Sequence, residues 1–248
     1  MKITMLGAGS FGTAMSKHLA DLGNDILMWT IDKEQADSIN STGRNTFCFQ
    51  DTVLPDNIKC TLDMDEALSF SDYVIMAIPT QFEREVCRKV AATGKKNLHM
   101  LNLAKGIEIS TGYLLHKVHE EESPDNIYSA LSGPSHAEEV IVEQPTAVVV
   151  ASSKEEVASM WQEIFGCFHF RVYTSIDVTG VELGGAVKNV IAIASGIARS
   201  MGLGDNTLAA LVCRGLAEIM RLGAKMGANP LTLAGLAGVG DLVVTCYS

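Results

Sequence analysis

The chain has 248 residues, 47% hydrophobic and 19% charged, with a net charge of −10. That length is enough for one or two sizeable cores, and the composition is that of an ordered globular protein. The acidic balance argues against non-specific nucleic-acid binding, which needs a basic footprint, but allows a local basic pocket for an anionic substrate.

The first apolar run, residues 2–6, leads into Gly7-Ala8-Gly9-Ser10-Phe11-Gly12 and then into residues 10–22, where apolar side chains recur at helical spacing. Strand, glycine turn and helix form the setting in which G-x-G-x-x-G points to a dinucleotide. Gly7 permits the tight turn, Gly9 lets backbone approach a pyrophosphate, and Gly12 lets the helix pack close to the strand. The free N–H groups and the dipole at the helix start favour negative charge. The alternative is a glycine turn with no ligand.

Further strands are expected at 25–30, 58–61, 73–78, 98–103 and 127–131, alternating with helices at 33–40, 64–70, 81–92 and 112–121. Such alternation predicts a doubly wound, mainly parallel sheet with helices on both faces. Strands at 147–151 and 168–173 flank a helix at 154–165. Beyond residue 175 the pattern changes to long helical stretches, 177–200 and 206–226, rich in Ala, Leu, Ile and Met. The fold class is therefore α/β, a Rossmann-type domain over 1–176 followed by an all-helical domain over 177–248 that is incomplete at its C-terminus. The long helices are apolar on more than one side, which predicts burial against each other or against a second subunit, with a homodimer the expected assembly.

Candidate chemical groups cluster at strand ends, where open parallel sheets bind ligands. Asp32 follows the second strand, twenty residues after Gly12, at the position of a ribose-binding carboxylate; it equally suits the N-cap of the next helix. Lys33 beside it leaves a 2′-phosphate partner open. Lys105, after the strand at 98–103, suits a polar or anionic substrate, or a solvated loop. Ser135 and Glu138 have the spacing of a capping box, and His136 between them is a conceivable acid or base. Lys188 lies in the apolar run Gly184-Gly185-Ala186-Val187-Lys188-Asn189, where burial would tune its proton toward neutral pH and snorkelling would not. Asp241, after two glycines, suits an N-cap or a partner for Lys188. His116, His119 and the Glu120–Glu122 run are expected at the surface.

The six cysteines form no C-x-x-C pair, so reduced thiols are expected and no metal site. No signal-peptide pattern precedes the first strand, and no uninterrupted apolar run reaches the ~18 residues of a membrane span.

Five ordered blocks resemble the NAD(P)-dependent glycerol-3-phosphate dehydrogenases of bacterial type. They are Gly7 to Gly12, Ala104-Lys105-Gly106, Ser132-Gly133-Pro134-Ser135-His136-Ala137, residues 180–189 and Gly238-Val239-Gly240-Asp241-Leu242. The resemblance implies a Rossmann domain followed by a substrate domain. It implies a cytoplasmic enzyme using NAD or NADP to interconvert dihydroxyacetone phosphate and sn-glycerol 3-phosphate for glycerophospholipid synthesis. It implies Lys188 as general acid/base, Lys105 against substrate and cofactor, Gly133 and Ser135 against substrate, and Asp241 near the reacting carbon. Ser10, Phe11 and Ala137 correspond to cofactor contacts. Ile31 with Asp32 tilts the coenzyme toward NAD, and residues 45–50 depart from the family pattern. Alternatives are a related two-domain dehydrogenase for another small hydroxy acid, and a catalytically silent dinucleotide-binding protein. The family also has a Ser-Arg-Asn segment that would fall beyond Ser248, its Arg gripping the substrate phosphate. A chain stopping at Ser248 is thus expected to bind cofactor with little turnover; rapid dehydrogenation by a chain verified to end there would overturn that expectation.

Overall fold

The computed structural model describes residues 1–247; Ser248, the last residue of the expected second domain, lies outside them. Strands β1 (Lys2–Leu6), β2 (Asp25–Trp29), β3 (Ile58–Thr61), β4 (Tyr73–Met76), β5 (His99–Asn102) and β6 (Ile127–Ser132) are mutually parallel. The central ones are continuous apolar runs because helices cover both faces. In β1, Ile3 and Met5 join one core cluster while Leu6 joins another, with Val74 and Met76 of β4. This period-two alternation places one cluster on each side of the sheet.

Helices α1 (Ser10–Asp21), α6 (Ala137–Val140) and α7 (Glu155–Phe165) supply the first cluster, and α3 (Met64–Phe70) and α4 (Glu83–Ala92) the second. Helix α2 (Lys33–Thr42) adds Ala36 and Ile39 to the first cluster, and α5 (Leu115–Glu122) packs on α4. Strand β7 (Thr146–Ser152) is antiparallel to β6, and β8 (Phe170–Ser175) is parallel to β7. The order is β3-β2-β1-β4-β5-β6-β7-β8. The reversal at β7 has a local cause. Only the four-residue α6 separates β6 from β7, too little helix for a parallel crossover, so β7 starts where β6 ends. The mainly parallel, doubly wound sheet is as expected from the sequence. Its eighth strand starts two residues late, because Phe168 is fully exposed in the preceding turn.

The last part of the chain is helical: α8 (Val178–Ser200), α9 (Asp205–Lys225), α10 (Pro230–Leu233), a π-turn at Leu236–Gly240 and α11 (Asp241–Tyr247). Asp177 ties this region together. Its Oδ1 accepts the Gly180 N–H at 2.9 Å, capping α8, and its Oδ2 accepts the Asn229 N–H at 2.8 Å. Helix α8 packs on β6, β7, α9 and α11. A Cβ at Gly184 would lie 2.3 Å from the Ala237 carbonyl oxygen, so only glycine lets the π-turn approach there. Val190, Ile193 and Ile197 stay exposed on another side of α8.

Three expectations are corrected. By length and hydropathy Val178–Ser200 and Pro230–Tyr247 do reach the level of a membrane span, since the window average outweighs Glu182 and Lys188. Yet Val181 and Leu183 are fully buried in the fold, and both charged residues are themselves buried and paired, Glu182 with His116 and Lys188 with Asp241. His116 and His119 are not surface residues. The His116 backbone N–H donates to Glu182 Oε1 at 3.0 Å and its ring meets Oε2, while buried His119 faces Glu83 at 3.1 Å. The Glu120–Glu122 run is only partly solvated, because Arg84 bonds Glu121 and Glu122. The misreading has one source: α5 packs on both α4 and α8, so two of its sides are covered.

Trp161 is fully buried on α7, edge-on to Tyr73 at 5.9 Å and beside Phe165. Trp161→Ala is expected to cost about 3–5 kcal/mol of stability, read from the urea midpoint at unchanged slope.

Candidate active site

Because β1 to β6 are parallel, their carboxyl ends bring six loops to one edge of the sheet. Gly7, at the end of β1, has φ +115°, and a Cβ there would sit 2.3 Å from the Ala77 carbonyl oxygen. A Cβ on Gly12 would sit 2.3 Å from the Gly7 carbonyl oxygen. Turn and helix therefore pack too closely for side chains. Gly9 differs: a Cβ there meets nothing within 4 Å, so its bare backbone faces open space. That space is a cleft of about 680 Å³, lined by Gly7, Gly9, Ser10, Phe11 and Gly12 on one side and by Pro79 and Phe82 on the other.

Sequence reasoning missed how the loop is held. Gln35 and Asn45, both buried, donate to the Ala8 carbonyl at 2.8 and 2.9 Å. Asn45 also donates to Thr13 Oγ1 at 2.8 Å. Asn45 opens the segment that departs from the family pattern, which was the available signal. These bonds, the bare Gly9 backbone and the N-terminus of a twelve-residue helix fit a dinucleotide pyrophosphate. Asp32 stands apart from the cleft lining. Its Oδ1 accepts the Gln35 N–H at 3.0 Å, the N-cap of α2, while Thr30 and Ile31 line the cleft.

The polar centre lies next to Ala104, at the cleft's far end. Asp241 is 1% exposed and its carboxylate is shared by two lysines. Lys105 Nζ donates to Oδ2 at 2.7 Å and to the Gly133 carbonyl at 2.9 Å. Lys188 Nζ donates to Oδ1 and, at 2.8 Å, to Thr245 Oγ1. Lys188 is buried and does not snorkel. The small residues beside it serve packing: a Cβ on Gly185 would press on Ser132 Oγ at 2.7 Å and on the Lys105 stem at 3.2 Å. Burial brings the Lys105 ammonium down from 10.5 to about 8; Asp241 resists this and the Lys188 charge adds to it. With both lysines protonated the cluster carries one excess positive charge, so it attracts an anion, and the proton that burial loosens is the one on Lys105.

Two cap readings are corrected here. Asp241 already has helical backbone angles, and both of its oxygens are taken by ammonium groups, so it is not an N-cap. The capping box at Ser135 and Glu138 does not form either. Helix α6 starts at Ala137 with His136 as its unassisted N-cap, and Ser135 Oγ donates instead to the Gly133 carbonyl at 3.0 Å. Gly133, at φ +137°, exposes that carbonyl to Lys105 and Ser135 together. Ser132 Oγ and His136 Nε2 are buried with no partner among the described residues. Lys105, Gly133, Ser135, Lys188 and Asp241 are thus brought together; Ala137 begins α6 and packs against the core under α1.

A family model described as the NAD-dependent glycerol-3-phosphate dehydrogenase N-terminus matches residues 2–158, and the corresponding C-terminus matches residues 177–248. The glycerol-3-phosphate dehydrogenase [NAD(P)+] of Pelotomaculum thermopropionicum is 50% identical over the whole chain, which spans 72% of that relative. That of Staphylococcus haemolyticus is 46% identical, again over the whole chain and 75% of the relative. The crystal structure of glycerol-3-phosphate dehydrogenase from Coxiella burnetii superposes with a TM-score of 0.95 at 35% identity, covering 100% of this chain and 76% of that one.

Asp241→Asn leaves two buried ammonium groups without their carboxylate, an expected loss of about 3–5 kcal/mol near pH 7. The folded pKa of Lys105, about 8, lies below its unfolded 10.5, so the unfolded chain holds more protons between those values and wild-type stability rises with pH across that window. Without Asp241 the folded pKa drops further. The deficit should therefore be largest below pH 8 and shrink as pH rises through it. A pH-independent difference in thermal unfolding would show the loss to be steric.

Proposed function

Since the chain belongs to the NAD-dependent glycerol-3-phosphate dehydrogenase family, we propose that its cleft and lysine cluster form one catalytic unit with Lys188 as the general acid/base. The protein is an oxidoreductase that interconverts dihydroxyacetone phosphate and sn-glycerol 3-phosphate with NAD or NADP, the step that supplies glycerol phosphate for phospholipids. The observation that carries the residue roles is the shared Asp241 carboxylate, which holds two ammonium groups in one buried site beside the nucleotide cleft.

When bound, the reduced nicotinamide supplies the hydride for the substrate's C2. The backbone of Gly7 to Gly12 and the start of α1, with Ser10 and Phe11, cradle the pyrophosphate, and Ala137 borders the nicotinamide side. Lys188 passes a proton from Nζ to the C2 oxygen during reduction and takes it back during oxidation. Asp241 orients Lys188 and Lys105, so neither ammonium must reorganise as charge develops on that oxygen. Lys105, with Gly133 and Ser135, holds the substrate by charge and hydrogen bonds. The excess positive charge favours a phosphorylated over a neutral triose.

We assign the nucleotide domain to residues 1–176 and the substrate domain to 177–248, a division supported by the two family-model matches. Asp32, with the apolar Ile31 beside it at the cleft, supports NAD over NADP, since an adjacent carboxylate repels a 2′-phosphate. Free cysteines at all six positions support a cytoplasmic location. The exposed apolar row on α8 supports a homodimer.

Lys188→Ala should lower kcat about 10²–10⁴-fold, while NADH binding followed by fluorescence stays unchanged. A parallel loss of NADH affinity would move Lys188 from acid/base work to cofactor binding. The ratio of kcat/KM for NADH to that for NADPH should exceed one and fall in Asp32→Ala; an unchanged ratio assigns Asp32 to its cap alone.

A further inference from the structure

A second cluster of chemistry-bearing side chains lies away from the cleft. His18 sits two turns along α1 from Ser10, about 12 Å down the helix axis. Cys167 and His169 occupy the turn between α7 and β8. One ligand atom from each lies within 4.8 Å of the other two. His18 is buried, while Cys167 and His169 are half-buried beside the exposed Phe168. We infer that His18, Cys167 and His169 form a binding site for a zinc-type divalent cation.

Three observations support it. Cys167 Sγ and His169 Nε2 are 3.5 Å apart. Tetrahedral zinc, with Zn–S of about 2.3 Å and Zn–N of about 2.0–2.1 Å, sets S-to-N edges of about 3.6 Å, so this pair already spans one edge. The other two edges, within 4.8 Å, close by at most about 1.5 Å through side-chain rotation at the two turn residues, against the same bond lengths. Next, His18 Nε2 is 2.8 Å from the Phe165 carbonyl. That bond puts the proton on Nε2 and the lone pair on Nδ1. Metal-bound histidines are held by such an outer hydrogen bond. Finally, the donor set of one thiolate and two imidazoles matches zinc and mismatches magnesium or calcium.

Neighbouring charges favour a cation. The carboxylates of Asp21 and Glu143 act electrostatically on His18, and Glu143 also acts on His169. Lys17 occupies those carboxylates at 2.6 and 3.2 Å, so they supply field rather than ligands, and water completes the shell. Zinc binding releases the Cys167 thiol proton to solvent and leaves a thiolate on the metal. The three ligands sit on α1, which carries the phosphate cradle at its other end, and on the turn into edge strand β8. A bound ion would staple those elements together. The sequence hides the site because His18 is remote in the chain and Cys167-Phe168-His169 matches no zinc-ligand spacing.

The test is zinc titration of the metal-free protein against a chromophoric chelator, with cobalt as a spectroscopic substitute. One zinc per chain is expected, with a thiolate-to-cobalt charge-transfer band and tetrahedral cobalt absorption. Cys167→Ser should remove the band and weaken zinc by about 100-fold or more, beyond the 10–100-fold that outer-shell partners contribute. His169→Gln should weaken it similarly, and exposed Cys213→Ser should change nothing. Zinc should raise the melting temperature of wild type but not of either ligand variant, each of which should keep wild-type NADH binding as its folding control. Sub-stoichiometric zinc, equal affinity in Cys167→Ser, or cobalt without the thiolate band would each overturn the assignment.

Discussion

The shared carboxylate of Asp241 is the interaction on which the site depends. Two ammonium groups packed among Gly185, Ser132 and Gly133 repel each other, and burial removes the water that would screen them. One carboxylate with an oxygen for each makes the arrangement possible without neutralising it. Because the cluster is not balanced, it keeps a residual positive charge, and burial loosens the proton on Lys105. A second carboxylate would have made a stable, inert ion network.

That interaction also joins the two parts of the chain. Lys105 comes from the loop after β5, Lys188 from α8, and Asp241 from the turn into α11. Gly184 lets the π-turn carrying Asp241 approach α8 closely enough for the carboxylate to reach Lys188. Asp177 anchors the start of α8 and the turn before α10 at once. The cleft beside the glycine turn is built differently, almost entirely from backbone. Gly7 and Gly12 close the turn, Gly9 leaves space, and Gln35 and Asn45 hold the Ala8 carbonyl from behind.

Sequence reasoning succeeded where a feature rests on local chain geometry and faltered where it rests on packing. The glycine loop follows from strand, turn and helix in succession, and the alternation through residue 131 was enough for the parallel sheet. The caps show the limit. Asp32 and Asp241 both suit an N-cap, and Asp177 opens the helical stretch 177–200. The structure makes caps of Asp32 and Asp177, while Asp241 gives both oxygens to lysines. Ser135 and Glu138 have capping-box spacing, but α6 begins too late to use it, and Ser135 turns to the carbonyl that Lys105 also binds. Spacing alone contains no information about which competitor for a hydrogen bond stands nearby. The histidines of α5 failed for a related reason, since a helix covered on two sides shows no clear polar face.

The sequence by itself determined the α/β architecture, the glycine turn after β1 and the family, because strand and helix periods, glycine turns and ordered motif blocks are local properties. Only the tertiary structure decided that Lys105, Lys188 and Asp241 meet, that Asp32 caps its helix, and that His18 lies beside Cys167 and His169. These are contacts between residues far apart in the chain. They exist because glycines at crowded positions, buried charges and a sheet that reverses at β7 bring particular backbones within reach, and no one-dimensional pattern encodes that convergence.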